Sequence, residues 1–164
     1  TAHFDRIMRG KPPLVLFRTM AGHPRAWEKF RGGSLLDRGP LSLRDREIVI
    51  DRTCALNACE YEWGVHVTAF GAAAGLSEEQ VHATVRGNAD ADCWSPAEQA
   101  LIAAVDALHA RATLDDAEFA ALSAHYDDDQ VLEIILLCGF YRTVSYLANA
   151  LALPLEATAA RFPQ

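Results

Sequence analysis

Several kinds of feature are scarce or missing in this chain, and each gap narrows the reading. Its four cysteines, Cys54, Cys59, Cys93 and Cys138, form no C-x-x-C pair. No His/Cys spacing matches a structural zinc site, so no metal ligand set is assigned. No hairpin signal and no alternating β-branched run is present, which leaves no basis for a sheet. No apolar run approaches the roughly 20 residues of a membrane span. The opening TAHFDRIMRGK lacks the apolar core of a signal peptide. Basic charge is in deficit: 15 Lys and Arg stand against 22 Asp and Glu, a net charge of -7. That balance argues against nucleic acid or an anionic membrane as the main partner. There is no linker or low-complexity segment. The expectation is a cytoplasmic protein with reduced cysteines, no required cofactor and a small-molecule substrate.

What remains is helix. The chain reads as all-α, a single domain of about six to eight helices over residues 1–164. Short N-terminal helices occupy 1–40, broken at Gly22-His23-Pro24. Motif helices occupy 42–75 and C-terminal helices 95–152. Ser42 reads as the cap of a helix from Leu43 to about Leu56, with Asp45 in its first turn. Asn57, with Glu60 three residues on, reads as the cap of a second helix ending at Gly75. Ser77 with Gln80 opens a short helix closed by Gly87. Ser95-Pro96-Ala97-Glu98 opens another, and Asp115 opens a third. The last helix, from about Asp128 to Leu151, is apolar almost all round. Such a helix needs a central position or a second subunit over it, and a homo-oligomer is expected.

The stretch CEYEWGVH, residues 59–66, carries the chemistry. On a helix Cys59, Glu62 and His66 fall within about 60° of one another. With Asn57 as cap, Cys59 lies in the first turn, where free amides and the helix dipole are expected to lower its thiol pKa. Glu62 and His66 are suited to proton transfer. Glu47 lies on the preceding helix, and a break at Asn57 lets it approach the group. Plainer readings stand beside these. Glu62 fits a solvated first-turn glutamate, and His66, like His3, His23, His82, His109 and His125, fits a structural histidine. Tyr61 and Trp63 fit core aromatics as well as a substrate platform. Arg44, Arg46, Arg52 and Arg142 are candidates to hold a substrate carboxylate.

The combination of R-x-R-E, Y-E-W-x-x-H, A-G-L-S and a tyrosine-bearing last helix, spread over about residues 20–156, resembles the carboxymuconolactone decarboxylase family. That family includes the alkyl hydroperoxidase D-like proteins. The resemblance implies packed helices assembling as trimers or hexamers, with a dimer as the smaller option. The hydroperoxidase branch uses a glutamate, eleven residues, then C-x-x-C-x-x-x-H. Those positions fall here on Glu47, Cys59, Glu62 and His66, so the second thiol is replaced by a carboxylate. The resemblance therefore implies decarboxylase-like acid–base chemistry on a carboxylated, lactone-type metabolite. Glu47, Cys59, Glu62 and His66 would form the catalytic group, and Tyr61, Trp63 and Arg142 would contact substrate. The alternatives are a thiol peroxidase or reductase on Cys59, with Cys54 as a displaced resolving thiol, and a non-catalytic ligand-binding oligomer.

Overall fold

A computed structural model describes residues 12–164. The readings made on the first eleven residues lie outside the described ones. Among the described residues there are eight α-helices and no strand. They are α1 (Val15–Ala21), α2 (Pro24–Arg31), α3 (Leu43–Leu56), α4 (Glu60–His66), α5 (Glu78–Arg86), α6 (Pro96–Arg111), α7 (Asp116–Ser123) and α8 (Asp128–Ala150). A π-helical turn, Val67–Gly71, continues α4.

Helix starts follow local hydrogen-bond chemistry. The side chains of Ser42, Ser77, Ser95, Asp115 and Asp127 each accept from the amide three residues on. In the last four, the Gln or Glu at that third position returns the bond, completing a capping box.

α3 is the hub. It packs against α4, α5, α6 and α8, and its residues from Arg46 to Cys54 are all buried. Four of these are charged. Arg52 reaches Asp106 at 2.7 and 2.9 Å and the carbonyls of Thr84 and Gly87, a fork-to-carboxylate pairing that makes burial tolerable. Arg46 and Glu47 pair with each other. Asp51 has no partner on either oxygen.

The corner between α3 and α4 differs from the sequence reading. Asn57 is the C-cap of α3, not the N-cap of α4. Its side-chain amide donates back to the Thr53 carbonyl at 2.8 Å, and Ala58 then turns left-handed at φ 50°. Cys59 becomes the N-cap of α4. Glu60, the residue that suggested a capping box, accepts from the Phe162 amide instead. Leu35, Ala112 and Ala152 share the left-handed conformation.

α8 is long and apolar enough to cross a membrane by length and composition, which the sequence reading did not anticipate. Its buried residues, among them Ile134, Leu137, Tyr141 and Val144, belong to the core shared with α3 and α4. Leu132, Leu136 and Tyr146 are exposed. The C-terminal segment returns across α4. Gly64 permits this, because a Cβ there would collide with the Ala160 carbonyl.

Candidate functional site

Two stripes of ionisable side chains face each other across the α3–α4 corner. On α3, Glu47, Asp51 and Cys54 follow helical spacing of four and three residues, so they share a face. On α4, Cys59 at the cap, Glu62 and His66 follow spacing of three and four. Every one of these residues is buried.

The centre is a line of contacts. Arg46 donates through Nε and Nη2 to Glu47 Oε1, at 3.0 and 2.9 Å, and through Nη1 to the Leu36 carbonyl. Glu47 Oε2 lies 2.7 Å from His66 Nδ1. On the other side of the ring, His66 Nε2 lies 3.5 Å from Glu62 Oε1. Glu62 Oε2 is buried and has no protein partner. The π-helical turn brings the Phe70 ring to 5.3 Å from the His66 ring and beneath the Arg46 guanidinium. Tyr141 meets His66 edge-on at 5.1 Å. The imidazole is thus walled by rings and gripped at both nitrogens by carboxylates. Burial by itself would lower its pKa, but the bonds to Glu47 and Glu62 prevail and raise it to about 10. At neutral pH His66 is an imidazolium, with Nδ1–H donating to Glu47 and Nε2–H directed at Glu62.

Cys59 is fully enclosed. Burial pushes its thiol up, although the amides of Glu62 and Tyr61 face the sulfur and act the other way. The expected low thiol pKa is therefore reversed: dehydration outweighs the helix N-terminus. The Glu62 carboxylate adds to the rise.

Three expected substrate contacts are engaged elsewhere. The Tyr61 hydroxyl accepts from the Leu16 amide and donates to Glu156 at 2.6 Å, tying α1 and α4 to the C-terminal segment. The Trp63 indole donates to Thr84 and packs on Phe162. Arg142 donates to the His109 carbonyl and the Tyr146 hydroxyl on another side of α8. Of the four arginines considered, Arg46 joins the line, while Arg44 is spent on Glu98 and the Gly75 carbonyl. Asp51 is the member the sequence reading missed. Its spacing of four from Glu47 and three from Cys54 was the available signal. Among the described residues, no group of three or more His, Cys, Asp or Glu side chains is arranged to hold a metal ion.

The geometry is a buried line of paired ionisable side chains on an all-α scaffold. The chain belongs to the carboxymuconolactone decarboxylase family, whose model matches residues 21–107. No curated protein sequence matches it significantly. Solved structures share the fold at low identity. An uncharacterized peroxidase-related protein from Silicibacter sp. TM1040 is 20% identical with a TM-score of 0.81, over 95% of this chain and 84% of that one. The alkylhydroperoxidase AhpD core of an uncharacterized peroxidase-related protein from Ralstonia eutropha JMP134 gives 21%, 0.78, 95% and 84%. The debrominase Bmp8, in complex with 2,3,4-tribromopyrrole, gives 18%, 0.76, 94% and 84%.

Proposed function

We propose that this chain is an acid–base enzyme of its family. It would move a proton to or from carbon in a small carboxylated metabolite, a lactone acid being the model substrate, with loss of CO₂ or migration of a double bond. The observation that carries the reading is the buried line Arg46–Glu47–His66–Glu62, ending in a carboxylate oxygen with no partner. Glu62 is assigned the proton exchanged with substrate. The His66 imidazolium stabilises enolate-like charge as CO₂ leaves and resupplies Glu62. Glu47, fixed by Arg46, holds the ring in orientation.

The thiol-dependent alternative is weaker at two points. A carboxylate stands where the resolving thiol would be, and burial pushes Cys59 up, away from the thiolate it needs. A pure ligand-binding role leaves the cost of several buried ionisable groups without a purpose.

The test is a turnover assay on carboxylated lactones, 4-carboxymuconolactone among them, following CO₂ release and ring isomerisation. Glu62→Gln and His66→Ala are each expected to lower kcat by about 10²–10⁴-fold, the usual worth of a positioned acid or base. Cys59→Ser is expected to retain most of it. Turnover that survives both Glu62→Gln and His66→Ala sinks the assignment.

A further inference from the structure

All four tyrosines of the chain lie among the described residues, and three of them have bonded hydroxyls. Tyr61 bonds the Leu16 amide and Glu156, Tyr126 donates to Asp45 at 3.1 Å, and Tyr146 accepts from Arg142 at 2.7 Å. Tyr141 is the exception. It is the most deeply buried of the four, 1% exposed, yet its hydroxyl has no hydrogen-bond partner among the described residues. A buried tyrosine hydroxyl ordinarily finds one. Packing does not account for the oxygen: phenylalanine would make the same ring contacts to His66 at 5.1 Å and Phe140 at 5.4 Å. The charges around the hydroxyl are those of the site. Glu62 is foremost among them, with Glu47 and Arg46 also acting on it. Glu62 has an unpartnered oxygen of its own. A donor on α8 and an acceptor on α4 thus stand in one buried place, each unpaired and neither bonded to the other. The line itself has no donor to spare. Both His66 ring nitrogens face carboxylates, and Arg46 is turned to Glu47 and the Leu36 carbonyl.

We propose that Tyr141 is a further catalytic residue, whose hydroxyl donates a hydrogen bond to the substrate oxygen that gains negative charge while Glu62 exchanges the proton at carbon. The inference rests on the acid–base reading and adds a group to it. In a lactone acid the C–CO₂ bond breaks, CO₂ leaves, and the electron pair left behind spreads to the lactone carbonyl oxygen. The Tyr141 O–H donates to that oxygen and keeps its proton. The pair then returns to carbon and takes a proton passed from His66 through Glu62, which solvent restores. In double-bond migration Glu62 removes the proton first, and the same oxygen holds the charge. Burial and the neighbouring Glu62 carboxylate keep the phenol well above its ordinary pKa, so it remains a donor at neutral pH. A donor left unpaired in a dry site needs no rearrangement when charge arrives. The substrate class narrows accordingly. The leaving carboxyl must be conjugated to a carbonyl oxygen, and a saturated acid without one does not fit.

The test compares the full chain with Tyr141→Phe, which keeps the ring and removes only the oxygen. The first readout is calorimetric binding of tetronate, a lactone that is already an enolate in neutral solution. Tyr141→Phe is expected to weaken it about tenfold or more, the worth of a hydrogen bond to a charged group. The second readout is turnover of 4-carboxymuconolactone. There kcat is expected to fall about 10²–10³-fold, as on loss of one oxyanion donor, with KM within about threefold. Tm is expected to hold or rise, because the lost hydroxyl has no partner in the protein. A lower Tm marks a structural hydroxyl and overturns the proposal. So does equal tetronate binding by the two proteins, no binding by the wild type, or an unchanged kcat in the variant. Tetronate binding that depends on Tyr141, in a wild type that turns over no carboxylated lactone, keeps Tyr141 as the donor and defeats the acid–base reading instead.

Discussion

Asp51 sits in the dry centre with neither oxygen paired. Its charged neighbours are His66 and Glu47, and an unpaired carboxylate charge buried there would cost roughly several kcal/mol. Burial therefore pushes the Asp51 carboxyl well above the usual range, against the partial pull of His66. In the unfolded chain the same group ionises near about pH 4. Its folded pKa is the higher one, so its contribution is fullest below that pH and is lost as pH rises through the folded value. At neutral pH it costs stability. Asp51→Asn, neutral and similar in size, is expected to raise Tm at pH 7 by roughly 2–4 °C, the effect of about 1 kcal/mol in a domain this long. The gain should disappear near pH 4, and a lower Tm at pH 7 would refute the neutral, unpaired state. His66 runs in the same direction: its stabilisation is complete below about pH 6.5 and fades as pH rises through about 10. Both groups favour neutral over alkaline solution.

At the scale of elements, the sequence was most readable where one side chain settles the matter. Ser42, Ser77, Ser95 and Asp115 each cap a helix because their oxygens meet an orphan amide within one turn. That chemistry is local. The α3–α4 corner was misread because two helices meet across three residues, and Asn57 suits the end of one as well as the start of the next. Tertiary contacts decide there: the C-terminal segment takes Glu60, and the Cys54 carbonyl takes the Cys59 amide. The π-helical turn left no trace in the periodicity of VTAFG. The relay was half legible. The spacing placed Glu62 and His66 on one face, but only the fold turns Glu47 across to them. Arg46 was one of four equal candidates until packing chose it. Arg142 had a plausible charge and no route to the line.

For the molecule as a whole, the unpartnered face of α8 is the open question. Leu132, Leu136, Gly139, Thr143 and Tyr146 alternate by four and three residues and are all exposed, the spacing of a helix-packing seam. A Cβ at Gly139 would meet no atom within 4 Å, so that face is open to close approach. We propose that a second copy of the chain covers it. Sedimentation is expected to show a homo-oligomer that Leu132→Glu with Leu136→Glu dissociates while helical content is kept. A wild-type monomer at micromolar concentration would end the idea.

The left-handed residues that close helices have a consequence for engineering. Ala112 and Ala152 hold φ of 58° and 47°, where a side chain costs about 1–2 kcal/mol that glycine does not pay. Glycine gives back roughly 0.5–1 kcal/mol in chain entropy. Ala112→Gly and Ala152→Gly are each expected to raise the unfolding free energy by the remainder, about 0.5 kcal/mol, read as a higher urea midpoint at unchanged slope. Neither position belongs to the Glu47–His66–Glu62 line. The protein thus carries stability headroom in two alanines, available for making it more durable without altering its proton chemistry.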